Sequence, residues 1–109
     1  MLALPMDPQQ KLQSMLAELW NQHRSAIEDR VELLSRACDS LRNGTLDTGT
    51  REEAQSAAHK LAGVLGTFGR SEGTDLARKI EILLADPESV DGHQVELENA
   101  VSALRQSIS

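Results

Sequence analysis

No proline or glycine interrupts the stretch from Gln9 to Asn43, which limits the chain to folds built on one very long helix or two helices set end to end. Asp7 followed by Pro8 is a start signal: the carboxylate accepts from free first-turn amides, and proline is pre-shaped for the first helical position. Leu12, Leu16, Leu19, Trp20, Ile27, Val31, Leu34, Cys38 and Leu41 then recur at three- and four-residue steps, with only His23 and Arg30 polar in the register. Asn43-Gly44 stops it. The segment is one helix of about nine turns or a pair meeting near His23 to Ser25, and the single helix is the expectation.

Helix restarts at Thr48 to Glu52, with Thr48 or Thr50 as cap, and Ala54, Ala58, Leu61, Ala62, Leu65 and Phe68 mark its buried stripe before Gly69 ends it. Ser71 is the expected cap of the next helix, whose apolar line Gly73, Leu76, Ile80, Leu83, Leu84 runs until Pro87 forbids continuation. Asp91 with Gln94 offers a capping-box start for a last helix carrying Leu97, Ala100, Val101, Leu104 and Ile108. No strand pattern, repeat or long linker is present. The expected fold is all-α: an antiparallel four-helix bundle with an extended or additional N-terminal helix, one domain over 1–109 with its core at about 8–107.

Composition sets the outer limits of function. A net charge of −6 with no Lys/Arg cluster argues against a nucleic-acid partner and an anionic membrane surface. The apolar runs are far too short to span a bilayer, and Met1 to Pro8 lacks a signal pattern, so a cytoplasmic location is expected. One Phe, one Trp and no Tyr leave an aliphatic core. The single cysteine, Cys38, has no partner for a disulfide and reads as a core residue, and three widely separated histidines without a thiol cluster give no metal spacing.

Chemistry concentrates at one histidine. With Ala54, Leu61 and Leu65 facing the core, His59 falls about 140° away on the helical wheel and faces solvent. Gly63 and Gly66 share that outward face, although a glycine inside a helix costs about 1 kcal/mol relative to alanine. Without side chains there, another protein's surface can approach the ring closely. If the next turn is centred on Arg70, antiparallel pairing brings Glu81 level with His59, where its carboxylate can accept the Nδ1–H and leave the Nε2 lone pair outward as a nucleophile. Histidine's ordinary pKa of about 6.5 suits that role near neutral pH. The glycines do not form a nucleotide loop, because such loops join a strand to a helix. His23 and His93 read as surface residues, and the run from Glu28 to Arg36 as a solvated face.

The stretch AHKLAGVLGTFG, Ala58 to Gly69, resembles the signature of histidine phosphotransfer (HPt) domains, and GTDLARKIE, Gly73 to Glu81, continues the similarity. The resemblance implies a four-helix bundle in a multistep phosphorelay, with His59 as phospho-acceptor and Glu81 as its orienting carboxylate. It departs at Ala62, where the family commonly has a phosphate-neutralising lysine. Lys60 is the nearest substitute in sequence. Gln55, Lys60, Gly63, Gly66 and Thr67 are the expected partner-docking residues around the histidine.

What the resemblance implies for function is a carrier that accepts and donates a phosphoryl group at His59, with response-regulator receiver domains or a hybrid sensor histidine kinase as partners. No ATP-binding or kinase signature is present, so no autonomous catalysis is expected; no cofactor or metal belongs to this chain, and Mg²⁺ is expected on the partner's receiver domain. The alternative is a non-catalytic helical adaptor or dimerisation module that binds through the long first helix.

Overall fold

The computed structural model describes residues 7–109, so the signal-pattern reading of the first six lies outside the described residues. Five helices follow in order: α1 (Pro8–Arg42), α2 (Thr48–Thr67), α3 (Ser71–Leu83), α4 (Pro87–Gly92) and α5 (Gln94–Ile108). Among the described residues there is no strand. α1 and α3 each pack on both α2 and α5, which closes a four-helix bundle, while the short α4 leads into α5.

α1 is one continuous helix, as expected. Asp7 Oδ1 accepts from the Gln10 amide at 2.8 Å, and the Gln10 side chain accepts from the Asp7 amide at 3.2 Å, a reciprocal capping box that fixes the start. The other end closes as a Schellman turn: Thr45 N donates to Ser40 O and Gly44 N to Leu41 O, with Gly44 at φ +71° where an L side chain would be strained. α2 ends the same way, through Arg70 N to Leu65 O and Gly69 N to Gly66 O, with Gly69 at φ +70°.

Three starts differ from the sequence reading. Asp47, not Thr48 or Thr50, caps α2: its carboxylate accepts from the Thr50 amide at 2.7 Å. Ser71 lies inside the first turn of α3, and the cap position is Arg70 with no side-chain bond. The closing turn of α2 already holds the Arg70 amide, so the chain enters α3 without a spare residue for a cap. Asp91 lies within α4 rather than opening α5; Asp86 caps α4 by accepting from the Ser89 amide at 2.7 Å, with Pro87 in its first turn. Pro87 therefore starts a helix as well as barring the extension of α3, the same Asp-Pro logic seen at residues 7 and 8.

The apolar register of α1 divides into two parts. Ile27, Val31, Leu34, Ala37 and Cys38 are buried against the bundle, whereas Leu12, Met15 and Leu19 are exposed. The reason is length: α1 has 35 residues against 20 for α2 and 15 for α5, so its first turns run beyond any helix that could cover them. Trp20 marks the boundary. Its ring meets Phe68 edge-on at 5.3 Å between centroids, and the Arg70 guanidinium lies 3.7 Å over it. Below that contact the core is aliphatic, with Ile27, Leu34, Leu61, Leu65, Ile80, Leu84, Leu97 and Leu104 each shut off from solvent. Burial of each such side chain contributes roughly 1.5–3 kcal/mol.

Candidate functional site

The α2–α3 hairpin positions the site, and its register is pinned at both ends. At the closed end stands the glycine turn described above. At the open end Arg51, a buried residue that the sequence reading overlooked, donates from Nη1 to Leu84 O at 2.9 Å and to Ala85 O at 3.1 Å. The start of α2 thereby satisfies carbonyls that α3 leaves unpaired at its end. Neither helix can slide by a turn without breaking those bonds.

Within that register His59 Nδ1 lies 2.9 Å from Glu81 Oε1. A carboxylate only accepts, so this contact puts a hydrogen on Nδ1, and in the neutral ring the lone pair is then on Nε2. The imidazole is 74% exposed while Glu81 is 28% exposed. The carboxylate is thus partly enclosed, and the ring it meets is open to approach. Ala54, Ala58, Leu61 and Leu65 hold the opposite face of α2 in the core with no exposure, which fixes the rotation of the helix about its axis.

His59 and Glu81 line a groove of about 540 Å³ along the seam of α2 and α3, together with Gln55, Ala62, Gly63, Arg78, Ile82 and Ala85. Gly63 has open space where a Cβ would stand. Gln55 and Gly63 therefore occupy the predicted surface. Gly66 is exposed, but a Cβ there would meet Thr74 Oγ1 of α3 at 3.7 Å, so it lies at the helix crossing rather than in the groove. Thr67 returns its hydroxyl to Gly63 O at 3.1 Å. Lys60 is exposed and does not line the groove.

The wall supplied by Arg78 and Ile82 of α3 and by Ala85 just beyond its end was not recognised in the sequence. A signal existed: the pairing that sets 59 level with 81 also sets 62 level with 78 and 55 level with 85. Ile82 is 69% exposed, an apolar side chain standing outside the buried line of α3.

Other chemical groups are structural. Burial, reinforced by the negative charges of Glu98 and Asp39, pushes the Cys38 thiol up to about 11, so it is protonated and unreactive at neutral pH. His93 bonds through Nδ1 to Ser89 O at 2.8 Å, and His23 packs against Phe68. Among the described residues no three His, Cys, Asp or Glu side chains are grouped to hold a metal ion, and no helix is long and apolar enough to cross a membrane.

Comparison with known proteins agrees with the helical bundle. The family model of the Hpt domain matches residues 10–107. Protein RcaC of Microchaete diplosiphon is 32% identical over 106 residues, a match that takes in 96% of this chain and 16% of that protein. The chain thus corresponds to about a sixth of its relative's length. No solved structure matches significantly. The helical bundle and the family match together show that the chain belongs to the Hpt domain family, whose function is histidine phosphotransfer in a phosphorelay.

Proposed function

We propose that His59 Nε2 is the phosphoryl acceptor and donor of this domain, with Glu81 holding the ring for transfer. The observation that carries this reading is the 2.9 Å contact from Nδ1 to Glu81 beneath an exposed ring. In the forward step the Nε2 lone pair attacks phosphorus, the Nε2–P bond forms, and the O–P bond of an aspartyl phosphate breaks with its electron pair left on the partner's carboxylate. The ring becomes a phosphorylated imidazolium whose Nδ1–H still donates to Glu81, and the adjacent anion stabilises that positive charge. Transfer to the next aspartate reverses the same step.

Family membership puts its partners among two-component proteins, response regulators or kinases. We assign the groove between α2 and α3 to receiver domains of response regulators or of a hybrid sensor kinase, with Mg²⁺ supplied by the receiver. The sequence has no Lys/Arg cluster for nucleic acid, and a cytoplasmic site of action fits these partners.

The test is to label the purified chain with phosphoramidate, locate the added group by mass spectrometry, and then add a Mg²⁺-loaded receiver. A label on His59 that leaves when the receiver is added, and is missing from His59→Gln, supports the reading. Labelling of His23 and His93 at the same rate as His59 overturns it.

The exposed Leu12, Met15 and Leu19 of α1 favour the rival adaptor reading. Gly63→Leu separates the two. It obstructs a receiver approaching His59 but leaves an α1-based adaptor intact.

A further inference from the structure

The transferring phosphoryl group carries two negative charges, and the groove already holds the carboxylate of Glu81. Placing a dianion beside a carboxylate is unfavourable unless a cation shares the space. Lys60 follows His59 directly in sequence, so it points about 100° away around α2, and it does not line the groove. Arg78 does. It comes from α3, one turn before Glu81 and level with Ala62 and Gly63, at the part of the groove where α2 presents a methyl group and a bare backbone. Among the described residues no hydrogen bond or ion pair engages the Arg78 guanidinium, in contrast to Arg24, Arg42, Arg51, Arg70 and Arg105.

We propose that Arg78 is the phosphoryl-binding cation of this site, a residue that touches the transferring group itself. The proposal rests on His59 being the acceptor. An exposed arginine with no internal partner keeps its planar donor fork available, and that fork matches two phosphoryl oxygens at once. The small side chains at Ala62 and Gly63 leave room for the guanidinium to reach across the groove toward phosphorus on Nε2. Arg78 and Glu81 then act on the two ends of one phosphohistidine: Glu81 on the Nδ1 hydrogen, Arg78 on the oxygens.

Phosphoramidate labelling isolates this contact, because the small donor needs no docking surface. As Nε2–P forms, the P–N bond of phosphoramidate breaks and ammonia leaves. Arg78→Gln is expected to slow labelling of His59 about tenfold, the scale of one charge-assisted hydrogen bond, and Arg78→Lys to recover part of the rate. The phosphorus-31 resonance of phosphorylated His59 should also shift in Arg78→Gln, a change that a purely structural role would not produce. Circular dichroism should be unaltered, since Arg78 is exposed and makes no internal bond. Wild-type labelling by Arg78→Gln, or a larger loss in Lys60→Gln, overturns the assignment. So does a defect in Arg78→Gln seen only with a receiver, which would make Arg78 a partner contact. If wild-type His59 takes no label, the acceptor reading itself fails; if His59 is labelled regardless of Arg78, only the arginine is lost.

Discussion

Glu81 Oε1 stands 2.9 Å from Nδ1 of His59 although the two residues belong to different helices and lie 22 positions apart. The bond is therefore a property of the hairpin register, and under the proposed function it selects which ring nitrogen takes phosphorus. Glu81→Ala should leave the fold intact, because the carboxylate is on the groove and not in the core, yet lower the labelling rate at His59 about tenfold through loss of one oriented hydrogen bond. Nitrogen NMR of the imidazole checks the cause: the Nδ1–H tautomer should give way to a mixture.

Two glycines on neighbouring helices should respond in opposite directions to the same substitution. At Gly63 a Cβ meets nothing within 4 Å, so Gly63→Ala removes a helix-interior glycine at no steric penalty and should raise stability by about 1 kcal/mol. At Gly73 a Cβ would stand 3.0 Å from Leu65 Cδ1 and 3.3 Å from Ser107 Oγ. Leu65 is fully enclosed and cannot yield cheaply, so Gly73→Ala should lower stability by about 1 kcal/mol despite the better helix propensity. Paired urea titrations read both signs.

Cys38 should resist iodoacetamide at pH 8 in the folded protein, since burial holds its thiol near 11, and react within minutes once the chain is unfolded. Labelling of the folded chain at the unfolded rate would show that α1 and α5 part easily at that point.

The first turn of α2 should loosen in acid. The Thr50 amide, and then its hydroxyl, hold the Asp47 carboxyl below its ordinary value. A lowered folded value means that the cap contributes fully above the unfolded carboxylate pKa of about 3.9 and is lost as pH falls through the lower folded one. Amide exchange at Thr50 should accelerate across that window, and in Asp47→Ala it should be fast throughout.

Phe68→Ala should free the exposed half of α1 without unfolding the bundle. Trp20 is the single tryptophan, and Phe68 and Arg70 are what cover its ring. Its emission should shift to the red while Cys38 keeps its protection.

Much of this was legible along the chain because its cause is local. Asp7-Pro8 and Asn43-Gly44 bound α1 through capping and a positive φ, and the three- and four-residue spacing of leucines chose the buried faces. The outward turn of His59 followed from the same periodicity, and its pairing with Glu81 from a short turn at Arg70. Where two local signals compete, the sequence alone misplaced the boundary, as with Thr48 against Asp47 and Asp91 against Asp86. Only the tertiary structure decided what depends on contact between helices. It left Leu12, Met15 and Leu19 uncovered because no neighbour is as long as α1, buried Arg51 against the end of α3, drew Gly66 toward Thr74, and turned Arg78 rather than Lys60 into the groove. Periodicity tells which side of a helix is apolar, but which residues of two helices share a groove is settled by how those helices pack.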